Sequence, residues 1–295
     1  MKSKYVIGLT LLLIITLFGF TLGHLGVITL PNNNVEDGNE ITEGIDDEND
    51  LAAEPKLYNS NSDEELDDEL EEELNGFKET IERQAKKYPD TLFLSKETEE
   101  RVIALTFDDG PEHINTPEIL DILKEENIKV TFFVLGQNVK QFPDIAQRMV
   151  DEGHQVANHS WDHENFTDLT NEEILYNQII PTSEKIEKIT GVYPTIIRPP
   201  FGAINDETIE FLGYQGWKMV NWSIDSFDWH YAEDTHEEIV GQVERHYHPG
   251  GIVLLHNGVI HKETVQALPR IIELLREDGY KFKTVDELLF NNNNY

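Results

Sequence analysis

Two histidines stand four residues apart in His159-Ser160-Trp161-Asp162-His163, and an aspartate pair stands upstream at Asp108-Asp109. Residues at i and i+4 lie one above the other on a helical turn, a spacing at which one element offers two imidazoles to one metal. Taken alone, the segment reads as readily as an exposed polar turn. The carboxylates change that, because a His-His-Asp set with open positions is the recipe for a hydrolytic metal centre. Successive residues after a strand point different ways, so one aspartate can ligate while its neighbour takes a proton. Further polar groups follow at Arg198, Asp225, Asp228 and His256.

Something must bring these groups together. From about Thr91 onward, strand-like apolar runs (102–107, 130–135, 154–158, 195–198, 218–224, 252–255 and 281–284) alternate with helical patterns (117–126, 143–152, 171–190, 207–215, 235–247 and 265–278). Such alternation predicts an α/β fold with a parallel sheet covered on both faces. Asn127, Gly153, Gly191, Gly216 and Gly279 fall where helix C-caps are expected. Every polar residue named above lies at or just after the C-terminal end of a strand. A closed barrel gathers those ends into one ring, whereas an open sheet would keep several of them apart. The pattern therefore predicts a distorted (β/α) barrel of about seven parallel strands.

The segments Thr106-Phe107-Asp108-Asp109-Gly110, His159 to His163, Arg198-Pro199-Pro200-Phe201-Gly202, Asp225-Ser226-Phe227-Asp228-Trp229 and Leu254-Leu255-His256 resemble, in order, the five motifs of the polysaccharide deacetylases. This carbohydrate esterase family includes chitooligosaccharide and peptidoglycan deacetylases, and the resemblance spans roughly residues 98–290. It implies a distorted α/β barrel and a divalent metal, commonly zinc, with cobalt, manganese or nickel as alternatives. It further implies Asp109, His159 and His163 as metal ligands and Asp108 as general base, held by Arg198. The backbone N–H of Phe201 would stabilise the oxyanion. His256 would be the general acid, with Asp228 orienting it and raising its pKa. Trp229 would wall the acetyl methyl, and Asp225 reads as a support or turn residue. In relatives acting on N-acetylmuramic acid the family pattern places an arginine where Phe201 stands, so the resemblance points to N-acetylglucosamine as the sugar deacetylated.

Composition narrows the partners. The 295 residues carry 57 acidic and 23 basic side chains, a formal net charge of −34, and no cysteine. Nucleic acid is excluded as a partner because a phosphate backbone would be repelled. Thiolate metal sites and cysteine nucleophiles are excluded outright. Residues 36–74 alone hold 18 Asp or Glu against Lys56, a composition that reads as a disordered stalk over 31–61. Before it, Lys2 and Lys4 precede an uncharged run from Tyr5 to Leu30, which is 26 residues and enough to span a bilayer. With no small-x-small cleavage signal near its end, residues 1–30 read as a signal anchor in preference to a cleaved signal peptide, with the C-terminus exported. Leu66, Leu70, Leu74, Phe77 and Ile81 share one helical face, so 62–90 is expected to be a lead-in helix packing on a catalytic domain at 91–295.

The sequence thus predicts an exported, metal-dependent hydrolase removing N-acetyl groups from an amino-sugar polymer, peptidoglycan or chitin-like, with the membrane touched only by the N-terminal segment. The alternatives are an O-acetyl esterase using the same centre and a non-catalytic glycan-binding protein. His113, His154, His230, His246, His248 and His261 follow no strand-end logic and are expected to be surface or packing residues.

Overall fold

The computed structural model describes residues 63–230 and 236–290. The apolar run and most of the acidic stretch lie outside them. No helix among the described residues is long and apolar enough to cross a membrane.

Among the described residues nine strands form one sheet: β1 (Leu92–Phe93), β2 (Val102–Asp108), β3 (Thr131–Val134), β4 (Gln155–Asn158), β5 (Ile196–Ile197), β6 (Lys218–Val220), β7 (Ile224–Asp225), β8 (Gly251–His256) and β9 (Lys281–Phe282). Their order is β1-β6-β5-β4-β3-β2-β8-β7, with β9 paired to the start of β2. All pairings are parallel. The helices are α1 (Asp63–Lys87), α2 (Asn115–Glu125), α3 (Gly136–Gln141), α4 (Pro143–Asp151), α5 (Asn171–Glu173), α6 (Ile180–Thr190), α7 (Asp206–Tyr214), α8 (His236–His246), α9 (Lys262–Glu277) and α10 (Val285–Leu289). All five expected C-cap residues have positive φ, as left-handed caps require.

The topology forces the sheet to curl. Strands β6 and β7 are six places apart in the sheet, about 29 Å if it were flat at roughly 4.8 Å per strand. Yet only Asn221, Trp222 and Ser223 join them, and four Cα steps reach at most about 14 Å. The sheet must therefore curl until β6 comes near β7, while among the described residues its edge strands β1 and β7 stay unpaired with each other, which leaves a curled, open barrel. This also explains why the single strand expected at 218–224 is broken. Its first half pairs with β1 and β5 and its second half with β8, so the chain has to change partners in between.

Period-two alternation sorts the strand residues. Ile103, Leu105 and Phe107 of β2 enter the cluster beneath the helices, together with Leu120 and Leu123 of α2 and Leu268, Ile272 and Leu275 of α9. Val102 and Ala104 face the concave side, with Phe133, Ala157, Ile196, Val220 and Ile252, where Val285 and Leu288 of α10 also pack. Continuing the same parity, Thr106 and Asp108, Arg198, Trp222 and His256 belong to the concave face at the C-terminal strand ends.

Between α5 and α6 the helix widens into a π-turn, Ile174–Ile179. Pro181, the second residue of α6, has no N–H to donate to an α-ladder. The Ile179 carbonyl accepts from Asn158 Nδ2 at 2.8 Å, which ties this stretch to the end of β4.

Candidate metal centre and active site

Asp108, the last concave-facing residue of β2, is 2% exposed. Its Oδ1 accepts from Arg198 Nη1 at 2.7 Å. Arg198 is fully buried and spends its other donors on Thr106 Oγ1 and the carbonyls of Val220 and Asn221, with its guanidinium 4.1 Å from the centre of the Phe133 ring. Burial pushes the Asp108 carboxyl up, and Arg198 only partly opposes it. The net direction is upward, and Arg198 holds the carboxylate as the resemblance implied.

Asp109 turns the chain through a left-handed residue, φ 76°. Asn138 Nδ2 donates to its carbonyl, and the next amide, Gly110 N–H, donates to Asn257 Oδ1. Asp109 is thereby rotated away from its neighbour, and its Oδ1 lies 3.6 Å from His159 Nε2 and 3.5 Å from His163 Nε2. The two histidines do not share a helical turn, contrary to the reading of their spacing. Ser160 and His163 are both left-handed, and side chains replace the helical bonds: Asn158 Oδ1 takes the Ser160 amide, Gln178 Oε1 the Trp161 amide, and Ser160 Oγ the His163 amide. The rings still meet, with centroids 5.1 Å apart.

This donor set fits a divalent metal. Asp109 Oδ1 is buried without a hydrogen-bond partner, a costly state for a carboxylate oxygen unless a cation satisfies it. His159 Nδ1 lies 2.8 Å from the Arg198 carbonyl, so it carries the proton and leaves the Nε2 lone pair for a ligand bond. Burial holds His159 down at about 3, neutral as a metal ligand must be. The spacings of 3.5 and 3.6 Å approach the roughly 3.3 Å edge of a tetrahedron whose ligands lie about 2.0–2.1 Å from its centre.

On the neighbouring strand β8, His256 sits directly opposite Asp108 in register. Its Nδ1 donates to Asp228 Oδ1 at 2.7 Å, while its backbone N–H and Thr264 Oγ1 donate to Asp228 Oδ2. Burial alone would push His256 down. The charge and hydrogen bond of Asp228 outweigh that, with help from Asp109 and Asp108, and raise it to about 10. His261, expected to be a surface or packing residue, is buried and stacks on His256 at 4.9 Å and 20°. Asp228, His256 and His261 also have metal-donor spacing. Both Asp228 oxygens are already committed to donors, however, so this cluster is built as a buttressed imidazole.

Phe201 adopts φ 58° within the short turn Pro200–Gly202. Its ring is 59% exposed and meets His163 at 4.5 Å. Asp225 Oδ1 accepts from Trp229 Nε1 and the Phe227 amide, and Oδ2 accepts from Trp222 Nε1, so Asp225 orients two indoles. Among the described residues, five of the six non-glycine positions with positive φ are Asp109, Ser160, His163, Phe201 and Phe227, all in the loops of this site. Each such residue costs on the order of 1 kcal/mol, strain that persists only where the surroundings over-determine it. Thr106, Asn138, Asn158, Gln178, Asn257 and Thr264 also hold the site together and escaped the sequence reading. Only Thr106 carried a signal, its shared parity with Asp108.

The profile of the family described as polysaccharide deacetylase matches residues 95–220. The chain is 43% identical over 189 residues to the peptidoglycan-N-acetylglucosamine deacetylase PgdA of Listeria monocytogenes, covering 63% of this chain and 38% of that one. It is 40% identical over 189 residues to the peptidoglycan-N-acetylmuramic acid deacetylase PdaC of Bacillus subtilis, covering 64% and 39%. The chain therefore spans about two fifths of these curated relatives. The crystal structure of the Bc1960 peptidoglycan N-acetylglucosamine deacetylase superposes with a TM-score of 0.65 at 36% identity, covering 69% of this chain and 94% of that one. With such a match across nearly the whole of a solved relative, over the same curled parallel sheet, the chain belongs to the polysaccharide deacetylase family.

Proposed function

We propose that this protein is a metal-dependent hydrolase that removes N-acetyl groups from N-acetylglucosamine residues of peptidoglycan, acting outside the cell from a membrane-anchored N-terminus. One observation carries the chemistry: a His-His-Asp donor set with an orphaned carboxylate oxygen lies between a buried carboxylate and a buttressed imidazole on adjacent strands.

Asp109, His159 and His163 would hold the metal, for which the family resemblance favours zinc. When bound, it supplies Lewis acidity toward the acetamide carbonyl and acidifies water. Asp108 takes a proton from the attacking water through Oδ2, the oxygen Arg198 leaves free. The Phe201 N–H donates to the developing oxyanion. His256, its Nδ1–H fixed on Asp228, gives the Nε2 proton to the departing amine. Trp229, held by Asp225, offers an apolar wall to the acetyl methyl.

The choice of sugar rests on Phe201. Phe201 is exposed and apolar at the position where the family pattern has an arginine in relatives acting on muramic acid, a cation suited to that sugar's lactyl carboxylate. The acidic balance of the chain adds a repulsive field. The test is to treat peptidoglycan, digest it with a muramidase and locate the free amine by mass spectrometry. Glucosamine is expected, and deacetylation confined to muramic residues would overturn the assignment. Acetate release from acetylxylan alone would favour the esterase, and no release from any substrate the glycan-binding reading.

A further inference from the structure

The turn that carries the Phe201 amide is packed from beneath by a residue far upstream. Gly202, at φ +65°, has no room for a side chain: a Cβ there would come within 2.8 Å of Phe77 Cζ and 2.8 Å of Trp222 Cη2. Phe77 belongs to α1, N-terminal to the residues matched by the family profile. Its ring lies 5.9 Å from that of Trp222, tilted by 32°. Trp222 in turn reaches the rest of the site, with the Arg198 guanidinium 5.6 Å from its ring centre and its indole N–H on Asp225, which also holds Trp229. Asn221 Nδ2 grips the Gly202 carbonyl from the other side at 2.9 Å.

The turn needs that support. It is closed only by Gly202 N–H to the Pro199 carbonyl and Ala203 N–H to the Pro200 carbonyl, and it contains a left-handed phenylalanine whose own ring is mostly in solvent. A bulky residue stays at positive φ only when its neighbours leave no alternative. Here those neighbours are Phe77, Trp222, Asn221 and the edge of His163.

We infer that Phe77 is a positioning residue for the Pro200–Gly202 turn, which makes α1 a working part of the oxyanion-binding apparatus. The inference rests on the hydrolase reading given above. Helix α1 has independent anchors at its other end: Gln84 Nε2 on the Ile204 carbonyl, Lys87 on Asp206, and Tyr88 OH on Glu210. Truncating Phe77 should therefore leave α1 docked and open space under the turn.

The test uses the full-length chain with Phe77→Ala and Phe77→Leu. In Phe77→Ala, kcat per bound metal ion should fall about tenfold with KM within about twofold of wild type, because the amide meets the oxyanion only in the transition state. Phe77→Leu should recover most of the loss. Hydrogen exchange at the Gly202 and Ala203 amides should accelerate at least about tenfold in Phe77→Ala while the sheet amides stay protected. Unchanged exchange at those two amides, a loss confined to KM, or failure of leucine to recover kcat would each overturn the inference. A wild-type protein that releases no acetate would refute the hydrolase reading, and the exchange measurement would still decide the role of Phe77 in holding the turn.

Discussion

Replacing Asp228 with asparagine tests the acid side of the site with almost no change in shape. Asp228 accepts three hydrogen bonds, from His256 Nδ1, the His256 backbone N–H and Thr264 Oγ1. An amide has one accepting oxygen, and two of the donors converge on Oδ2, so the carboxamide oxygen should settle there. Its NH2 then faces His256 Nδ1, which must accept in place of donating. The imidazole is left neutral with its proton on Nε2, and the imidazolium loses its partner. The folded-state value of about 10 should fall to the ordinary value of about 6.5 or below. At pH 8 the protonated fraction then drops from about 99% to about 3%, a loss of about 30-fold before any effect of misorientation. At pH 6 the same arithmetic gives less than about twofold, and above pH 7 the gap widens by about tenfold per unit. A cation at the Asp109 triad offsets the carboxylates that help raise His256, so the wild-type alkaline limb should lie between those two values. The assay is acetate release from peptidoglycan or chitooligosaccharide, with kcat/KM measured from pH 6 to 9. A ratio of wild type to Asp228→Asn that stays constant across that range would refute the assignment of His256 as a protonated acid set by Asp228.

Chelation should abolish acetate release, and zinc or cobalt should restore it. Asp109→Asn, His159→Ala and His163→Ala should each weaken metal affinity by titration, whereas Asp108→Asn should retain the metal and lose several orders of magnitude in kcat. Arg198→Met should destabilise the fold by about 3 kcal/mol or more in denaturant melts, since it strands a buried carboxylate; a change under about 1 kcal/mol would show that Asp108 has another partner. Because His256 is raised on folding, the contribution of its pair with Asp228 is fully present below about pH 6.5 and is lost as pH rises through about 10. Wild-type melting temperature should therefore decline more over that window than that of Asp228→Asn.

Much of this molecule was legible in one dimension. The alternation of apolar runs and caps located seven strand segments, because a buried parallel strand and an amphipathic helix impose different periods on the chain. The grouping was legible for a related reason: side chains at C-terminal strand ends converge if the sheet curls, so Asp108, Asp109, His159, His163, Arg198, Asp228 and His256 were expected near one another, as they are. Apart from the Arg198–Asp108 and Asp228–His256 pairs that the family resemblance implied, contacts between distant residues were not legible in the sequence. Strand β1 is two residues long and exists only because β6 lies beside it. The strand expected at 218–224 breaks because its two halves serve opposite ends of the sheet, a fact of topology invisible to local pattern. His163 reaches Asp109 through a left-handed loop held by Asn158, Ser160 and Gln178, where the i, i+4 spacing suggested a helix. His261 looked ordinary in the chain and Phe77 was one of five residues on an apolar helix face; their particular partners, His256 for one and Gly202 for the other, appear only in the fold. Local periodicity is set by which face of an element meets the core, so the sequence records it directly. The groups that hold reactive side chains in strained conformations are chosen by tertiary packing, and any residue type of the right size and polarity can serve.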